Sequence, residues 1–225
     1  MPAETCSVRE VYEVVEAVQP AARREQLPQQ LSQRITLQQG FLSPADSECF
    51  FNELLHHHPW PPQDYEVYGR RFILPRQQTW HADAGIIYSW SDNLLESRPW
   101  TPLLQTLREK VQQATGERFN AVLVNLYRNG QDYVDWHTDD DKEMGDNAVI
   151  ASLSLGATRA FSIRRFNTPE QQQNIMLTSG TLLVMQAGFQ QVYEHAVLPD
   201  DTTQPRINLT FRYVCRQNSA TRRRR

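Results

Sequence analysis

The chain has 225 residues, 40% of them hydrophobic, and sets 23 Lys and Arg against 26 Asp and Glu for a formal net charge of −3. That length suits one domain with short appendages, read here as a monomer, and its apolar fraction is enough to build a core at this size. No apolar run approaches the ~20 residues of a membrane helix, residues 1–20 lack a signal peptide's apolar stretch, and three scattered cysteines make no disulfide framework; these features point away from a membrane and toward a reducing compartment, cytoplasmic or, in a eukaryote, nuclear.

Residues 1–30 mix charge, Gln and Pro and read as an appendage, with Val8, Val11, Tyr12 and Val15 at helical spacing over Ser7–Val18. Ile35, Leu37, Phe41 and Leu42 mark a first strand within 31–42. Ser43-Pro44 reads as an N-cap with proline at the first helical position. The helix it opens runs through Phe50, Phe51, Leu54 and Leu55 to about His58, where Pro59, Pro61 and Pro62 stop it. Neighbouring positions on a helix point in different directions, so His56, His57 and His58 read as a solvated helix end and not as a metal site.

Residues 64–92 carry Tyr65, Val67 and Tyr68, the basic turn Gly69-Arg70-Arg71, Phe72-Ile73-Leu74, Pro75-Arg76 and the aromatics Trp80, Tyr88 and Trp90, with His81 in a polar loop. One reading is a hairpin that buries its aromatics in the core. The other is a lid whose Tyr88 and Trp90, two apart and on one face if extended, stack on an extruded base. Pro99–Ala114 reads as a second helix with Leu103, Leu104, Leu107 and Val111 as its apolar stripe and Gly116 ending it. Strand signals then follow at 120–128, 148–155, 159–166, 173–178, 180–186, 191–197 and 205–214, with glycines between them. Many short strands punctuated by turns predict a mainly β fold with flanking helices, a double-sheet jelly roll (double-stranded β-helix). The expected organisation is an appendage at 1–30, an N-terminal extension at 31–118 carrying a recognition lid at about 64–92, a catalytic core at 119–214, and a basic, disordered tail at 215–225.

The chemistry centres on Tyr133-Val134-Asp135-Trp136-His137-Thr138-Asp139, followed by Asp140 and Asp141. In a strand leading into a loop, His137 and Asp139 project together, and with one distant histidine they make two imidazoles and one carboxylate, the facial set of a non-haem Fe(II) centre. His195, in the strand-like Val192–Val197, is the candidate for the third ligand. Bare His-x-Asp is weak evidence, since a solvated loop explains it as well. Its company strengthens it. Arg206, Asn208, Thr210 and Arg212 alternate with Ile207, Leu209 and Phe211, and four polar residues facing one way from an apolar strand demand charge or ligand.

Asn125-x-Tyr127, His137-x-Asp139, His195 and Arg206-x-Asn208-x-Thr210-x-Arg212, with Pro75-Arg76-x-x-Thr79 and Asp83–Trp90 upstream, resemble in order and spacing the AlkB family of Fe(II)- and 2-oxoglutarate-dependent dioxygenases, over residues 35–214. The likeness is greatest to DNA-repair members acting on duplex DNA. It implies that His137, Asp139 and His195 hold Fe(II), that Arg206 pairs the distal carboxylate of 2-oxoglutarate with help from Tyr127, and that Asn125, Asn208, Thr210 and Arg212 line the rest of the cosubstrate surface. It also implies oxidative demethylation of bases such as N1-methyladenine and N3-methylcytosine in alkylated DNA, or in RNA. Dioxygen and 2-oxoglutarate are consumed and succinate, carbon dioxide and formaldehyde are released. Tyr88 and Trp90 would stack on the cationic base, Asp140 and Asp141 would favour its charge, Tyr68 stands where related members insert a wedge, and Arg76 would hold a phosphate or the opened strand.

Net acidity opposes a nucleic-acid reading, but the acid is local: Asp132, Asp135, Asp139, Asp140, Asp141, Glu143 and Asp146 cluster near the metal motif. Cations gather at Arg70, Arg71 and Arg76, at Arg164 and Arg165, and at Arg222–Arg225. The rival readings are the same chemistry on RNA, a protein or a small molecule, a nucleic-acid-binding module with a vestigial iron site, and a structural zinc site. An open three-ligand set beside a carboxylate-binding strand favours catalysis over the last.

Overall fold

The structure, a computed structural model, describes residues 29–215 apart from 63, 68–69, 87–88, 91–92, 95–96, 141, 146 and 167. The short helix α1 (Gln29–Ser32) leads into β1 (Ile35–Gln38) and α2 (Pro44–His57). The cap read from the sequence is present, with Ser43 Oγ accepting from the Asp46 N–H at 3.1 Å. Then come β2 (Asp64–Val67), β3 (Arg70–Ile73), β4 (Gln77–Ala82), β5 (Ser89–Trp90), β6 (Asn93–Leu94), β7 (Ser97–Arg98) and α3 (Pro102–Thr115). Thr101 caps α3 at its start, and Gly116, with φ 73°, takes the left-handed turn that ends it, a conformation glycine adopts without steric cost.

The remaining strands are β8 (Ala121–Tyr127), β9 (Val134–His137), β10 (Ile150–Gly156), β11 (Arg159–Arg165), β12 (Thr168–Leu177), β13 (Thr181–Met185), β14 (Tyr193–Val197) and β15 (Arg206–Arg212). They form a seven-stranded sheet in the order β1-β13-β10-β15-β8-β4-β7 and a four-stranded sheet in the order β12-β11-β14-β9. Leu123 and Met185 of the larger sheet share a core with Phe161, Ile163, Ile175, Leu177 and Val197 of the smaller one. The opposite face of the larger sheet, including Val122, Val124, Ile207, Leu209 and Phe211, packs against Phe50 and Leu54 of α2 and Leu104, Leu107 and Val111 of α3. The result is three layers, helices on sheet on sheet, as the alternation in β15 requires.

Three expectations need correcting. Gln77–Ala82, inside the segment expected as a lid, is a strand of the larger sheet, paired with β8 and with Trp80 in the core. His81 lies in that strand and not in a polar loop, its Nδ1 2.7 Å from the Pro99 carbonyl. His58 is not a solvated helix end: α2 stops one residue earlier, and the chain turns His58 inward so that its Nε2 meets Thr79 Oγ1 at 2.7 Å. Ahead of β4, β2 and β3 pair antiparallel, which agrees at backbone level with a hairpin. Tyr68, Tyr88 and Asp141, with the helix read at Ser7–Val18 and the Arg222–Arg225 tail, lie outside the described residues; of Trp90 only the backbone is described.

Candidate metal and cosubstrate site

The site opens between the two sheets, its ligands coming from the smaller sheet and its basic wall from the larger. β14 pairs with β9 through His195↔His137 and Val197↔Val134, so between these pairs β9 advances three residues while β14 advances two. This bulge turns both Val134 and His137 into the pocket. Trp136 faces away from it and lies under the Arg164 guanidinium at 3.9 Å. β9 ends at His137, so strand periodicity is not what aims Asp139. Its backbone N–H is held by Gln190 Oε1 at 3.0 Å, which directs the carboxylate inward.

One ligand atom each from His137, Asp139 and His195 lies within 4.8 Å of the others. His137 Nε2 is 4.0 Å from Asp139 Oδ1, and His195 Nε2 is 3.9 Å from Asp139 Oδ2. His137 Nδ1 is 2.7 Å from the Asp135 carbonyl, which fixes the proton there and leaves Nε2 as the lone-pair nitrogen. Burial, then His137, pushes His195 down to about 3, so its imidazole is neutral at pH 7. Burial alone would raise the Asp139 carboxyl; Arg212, His195 and His137 overcome this and hold it below the usual carboxylate range. Arg212 Nη2 donates to Asp139 Oδ2 at 2.9 Å, yet Oδ1 is buried with no hydrogen-bond donor among the described residues. Two imidazole nitrogens and an ionised, half-satisfied carboxylate converging on one point fit a divalent cation, with positions left open.

On the larger sheet, Arg206, Asn208, Thr210 and Arg212 all line the same pocket, as do Asn125 and Tyr127 of β8, which β15 pairs directly. The Arg206 guanidinium is buried. Its Nη2 donates to Ser154 Oγ at 3.0 Å, while Nε and Nη1 make no hydrogen bond among the described residues, and the Tyr127 ring lies 5.2 Å from its Cζ. Burial lowers its pKa, the mark of a cation without a counter-charge. Asn208 donates to Ser152 Oγ at 2.8 Å and accepts from Thr210 at 2.9 Å. Among the described residues, the pocket wall therefore carries three guanidiniums, Arg76, Arg206 and Arg212, against the single carboxylate of Asp139. Such a wall suits a dianion.

Arg76 departs from its expected place. It is only 4% exposed, with Nε on Asn125 Oδ1 at 3.0 Å and Nη1 on the Tyr133 carbonyl at 3.1 Å, so it belongs to the pocket wall and not to an exposed basic surface. Asp140 is exposed, accepts from Thr138 Oγ1 at 2.7 Å, and does not line the pocket. Sequence reasoning missed Gln190, the apolar wall of Val134, Phe161, Met185 and Val197, and the serines 152 and 154. The serines had a signal: two hydroxyls two apart in the apolar β10 raise the same demand for partners as the polar face of β15.

Residues 34–212 match the description of the 2OG-Fe(II) oxygenase superfamily. The chain belongs to that superfamily. Fe(II), 2-oxoglutarate and dioxygen are therefore its cofactor and cosubstrates, and the two-histidine, one-carboxylate cluster agrees with that requirement. The human alpha-ketoglutarate-dependent dioxygenase alkB homolog 3 is 36% identical over 191 residues, covering 80% of this chain and 66% of the relative. The mouse DNA oxidative demethylase ALKBH2 is 36% identical over 157 residues, 66% of each chain. The chain thus spans just under two thirds of the curated relatives it matches. The solved structure of OsALKBH1 aligns with a TM-score of 0.61 at 18% identity, covering 84% of this chain and all of that one, and supports the jelly-roll fold. Among the described residues, no helix is long and apolar enough to cross a membrane.

Proposed function

We propose that this oxygenase removes N-linked alkyl groups from nucleobases, acting on lesions such as N1-methyladenine and N3-methylcytosine in DNA. The observation that carries the reading is the buried, undercompensated Arg206 facing the His137–Asp139–His195 cluster across one pocket. The DNA demethylase relatives named above support the substrate class.

In this reading His137 Nε2, the Asp139 carboxylate and His195 Nε2 hold Fe(II), which with 2-oxoglutarate and dioxygen supplies the oxidation of the alkyl carbon. Arg206 pairs the distal carboxylate of 2-oxoglutarate in the fork geometry a planar guanidinium offers, and the Tyr127 hydroxyl adds a donor at that end. Asn125, Asn208 and Thr210 line the middle of the pocket, while Arg212 keeps Asp139 ionised. Arg76 holds Asn125 in place, a role different from the phosphate contact expected of it. Val134, Phe161, Met185 and Val197 exclude water around the reacting centre. By resemblance, Tyr88 and Trp90 are assigned to stacking on the alkylated base, Asp140 and Asp141 to favouring its positive charge, and Tyr68 to the wedge that fills the gap the flipped base leaves. The product of hydroxylation is a hemiaminal that releases formaldehyde and restores the base.

The test is anaerobic loading with Fe(II) and 2-oxoglutarate, then oxygen and an N1-methyladenine oligonucleotide, single- or double-stranded. Loss of the methyl group is followed by mass spectrometry, with His137→Ala as control. Repair that disappears in the variant is the expected result. Succinate formed while the methyl group stays on, for both strand forms, would refute the substrate and leave the same chemistry on RNA, a protein or a small molecule.

A further inference from the structure

Another buried guanidinium, outside the three of the pocket wall, lies behind the pocket. Arg159 opens β11, is 1% exposed, and lines no part of the cavity. Its Nη1 donates to the Asn129 carbonyl at 3.2 Å, and its Nη2 to the carbonyls of Gly130 at 3.4 Å, Asp132 at 3.1 Å and Leu198 at 2.7 Å. Asp200 Oδ2 approaches Nε at 2.8 Å. These acceptors sit on two loops, 128–133 joining β8 to β9 and 198–205 joining β14 to β15. Each loop crosses from one sheet to the other. The four strands they join carry Tyr127 and Arg206 on one side of the pocket and His137 and His195 on the other.

The loops are also in direct backbone contact. The Gly130 N–H donates to the Thr202 carbonyl at 2.6 Å, and the Asp200 N–H to the Gly130 carbonyl at 2.9 Å. A Cβ on Gly130 would stand 2.1 Å from the Asp200 carbonyl oxygen, so the approach leaves room for glycine alone. The Tyr127 ring is within reach of both guanidiniums, 5.8 Å from Arg159 Cζ and 5.2 Å from Arg206 Cζ. Arg159 is neutralised by Asp200 and spends its donors on carbonyls; Arg206 is not neutralised. The two therefore have different tasks, one holding the end of the pocket and the other facing into it.

We propose that Arg159 is a positioning residue for the cosubstrate. By clamping the two crossing loops it fixes Tyr127 and Arg206 at the closed end of the pocket, and so sets the length of 2-oxo diacid the site accepts. This rests on the assignment of Arg206 to the distal carboxylate. A planar fork with five donors can collect several carbonyls at once, which a lysine ammonium with three donors on a flexible stem does not reproduce.

The test is calorimetric titration of 2-oxoglutarate, and of the one-carbon-longer 2-oxoadipate, into Mn(II)-loaded protein. The variants are Arg159→Lys, the milder Asp200→Asn, Arg206→Met, and Asn120→Ala as a control for stability loss at a buried polar site outside the pocket. Arg159→Lys is expected to weaken 2-oxoglutarate about tenfold, the low end for groups that orient a binding residue, and to cut the preference over 2-oxoadipate about threefold. Asp200→Asn should move both in the same direction by less, and decides the matter alone if Arg159→Lys does not fold. Unchanged affinity and preference in both, or changes no larger than in Asn120→Ala, would overturn the proposal. Retained affinity in Arg206→Met would instead refute the cosubstrate assignment, and the role of Arg159 with it.

Discussion

Replacing Arg206 with methionine should stabilise the cosubstrate-free protein while abolishing useful cosubstrate binding. The side chain is 1% exposed, it donates to Ser154 Oγ while Nε and Nη1 find no acceptor among the described residues, and burial already depresses its pKa. Losing a hydrogen bond to a charged group costs about 1.5–3 kcal/mol. Burying an ion without a counter-charge costs several kcal/mol, and replacing buried charges by apolar groups of similar size gains roughly 1–4 kcal/mol where it has been tried. The net expectation is about +1 kcal/mol, or roughly 2–4 °C in Tm for a domain of this size. In the loaded protein the sign reverses, because breaking a buried guanidinium–carboxylate pair costs about 3–5 kcal/mol, a loss of roughly two to three and a half orders of magnitude in affinity. Thermal unfolding with and without saturating 2-oxoglutarate, under Mn(II), reads both effects in one experiment. Wild-type protein should gain Tm from 2-oxoglutarate; Arg206→Met should start higher and gain nothing. If the variant melts several degrees lower without cosubstrate, the protein itself satisfies this charge and the case for a dianion fails.

Gln190→Ala removes the acceptor for the Asp139 N–H and should weaken metal affinity about 10-fold or more, read by competition with a chelating dye; unaltered affinity would show that the loop needs no such anchor. Gly130→Ala forces a Cβ against the Asp200 carbonyl and should destabilise by about 1–3 kcal/mol in urea unfolding, since only backbone can yield there. His58 is pushed down to about 4 by burial, then by His81 and Arg98, from an ordinary value near 6.5. Between those values the unfolded chain binds more protons than the folded one. Stability present above pH 6.5 is therefore lost as pH falls toward 4, by roughly 2–3 kcal/mol from this group. His58→Gln should flatten that limb of the urea-stability profile, and an identical profile would exclude His58 as its source.

Local signals in the chain settled a large share of this protein. The cap at Ser43 and the left-handed stop at Gly116 depend on residues within one turn of each other, and they stand where the sequence put them. The polar face of β15 is legible because a strand sends every second side chain the same way, so Arg206 and Arg212 had to share a surface once Ile207 and Phe211 were buried. His137, Asp139 and His195 were named together with the polar face of β15, and not from His-x-Asp spacing alone, before their geometry was known. Other features depend on which strand lies beside which. The bulge that turns His137 inward is a mismatch between β9 and β14, strands more than fifty residues apart. His58 and His81 look solvated until Thr79 and the Pro99 carbonyl are brought against them. Arg76 reads as a surface cation until β4 joins β8 and places Asn125 within its reach. Arg159 reads as a routine strand residue, because its acceptors are backbone carbonyls, which every residue has and no sequence pattern marks. Side-chain alternation and helix caps are properties of neighbours in the chain; register, loop crossing and the burial of charge are properties of neighbours in space, and only tertiary packing decides those.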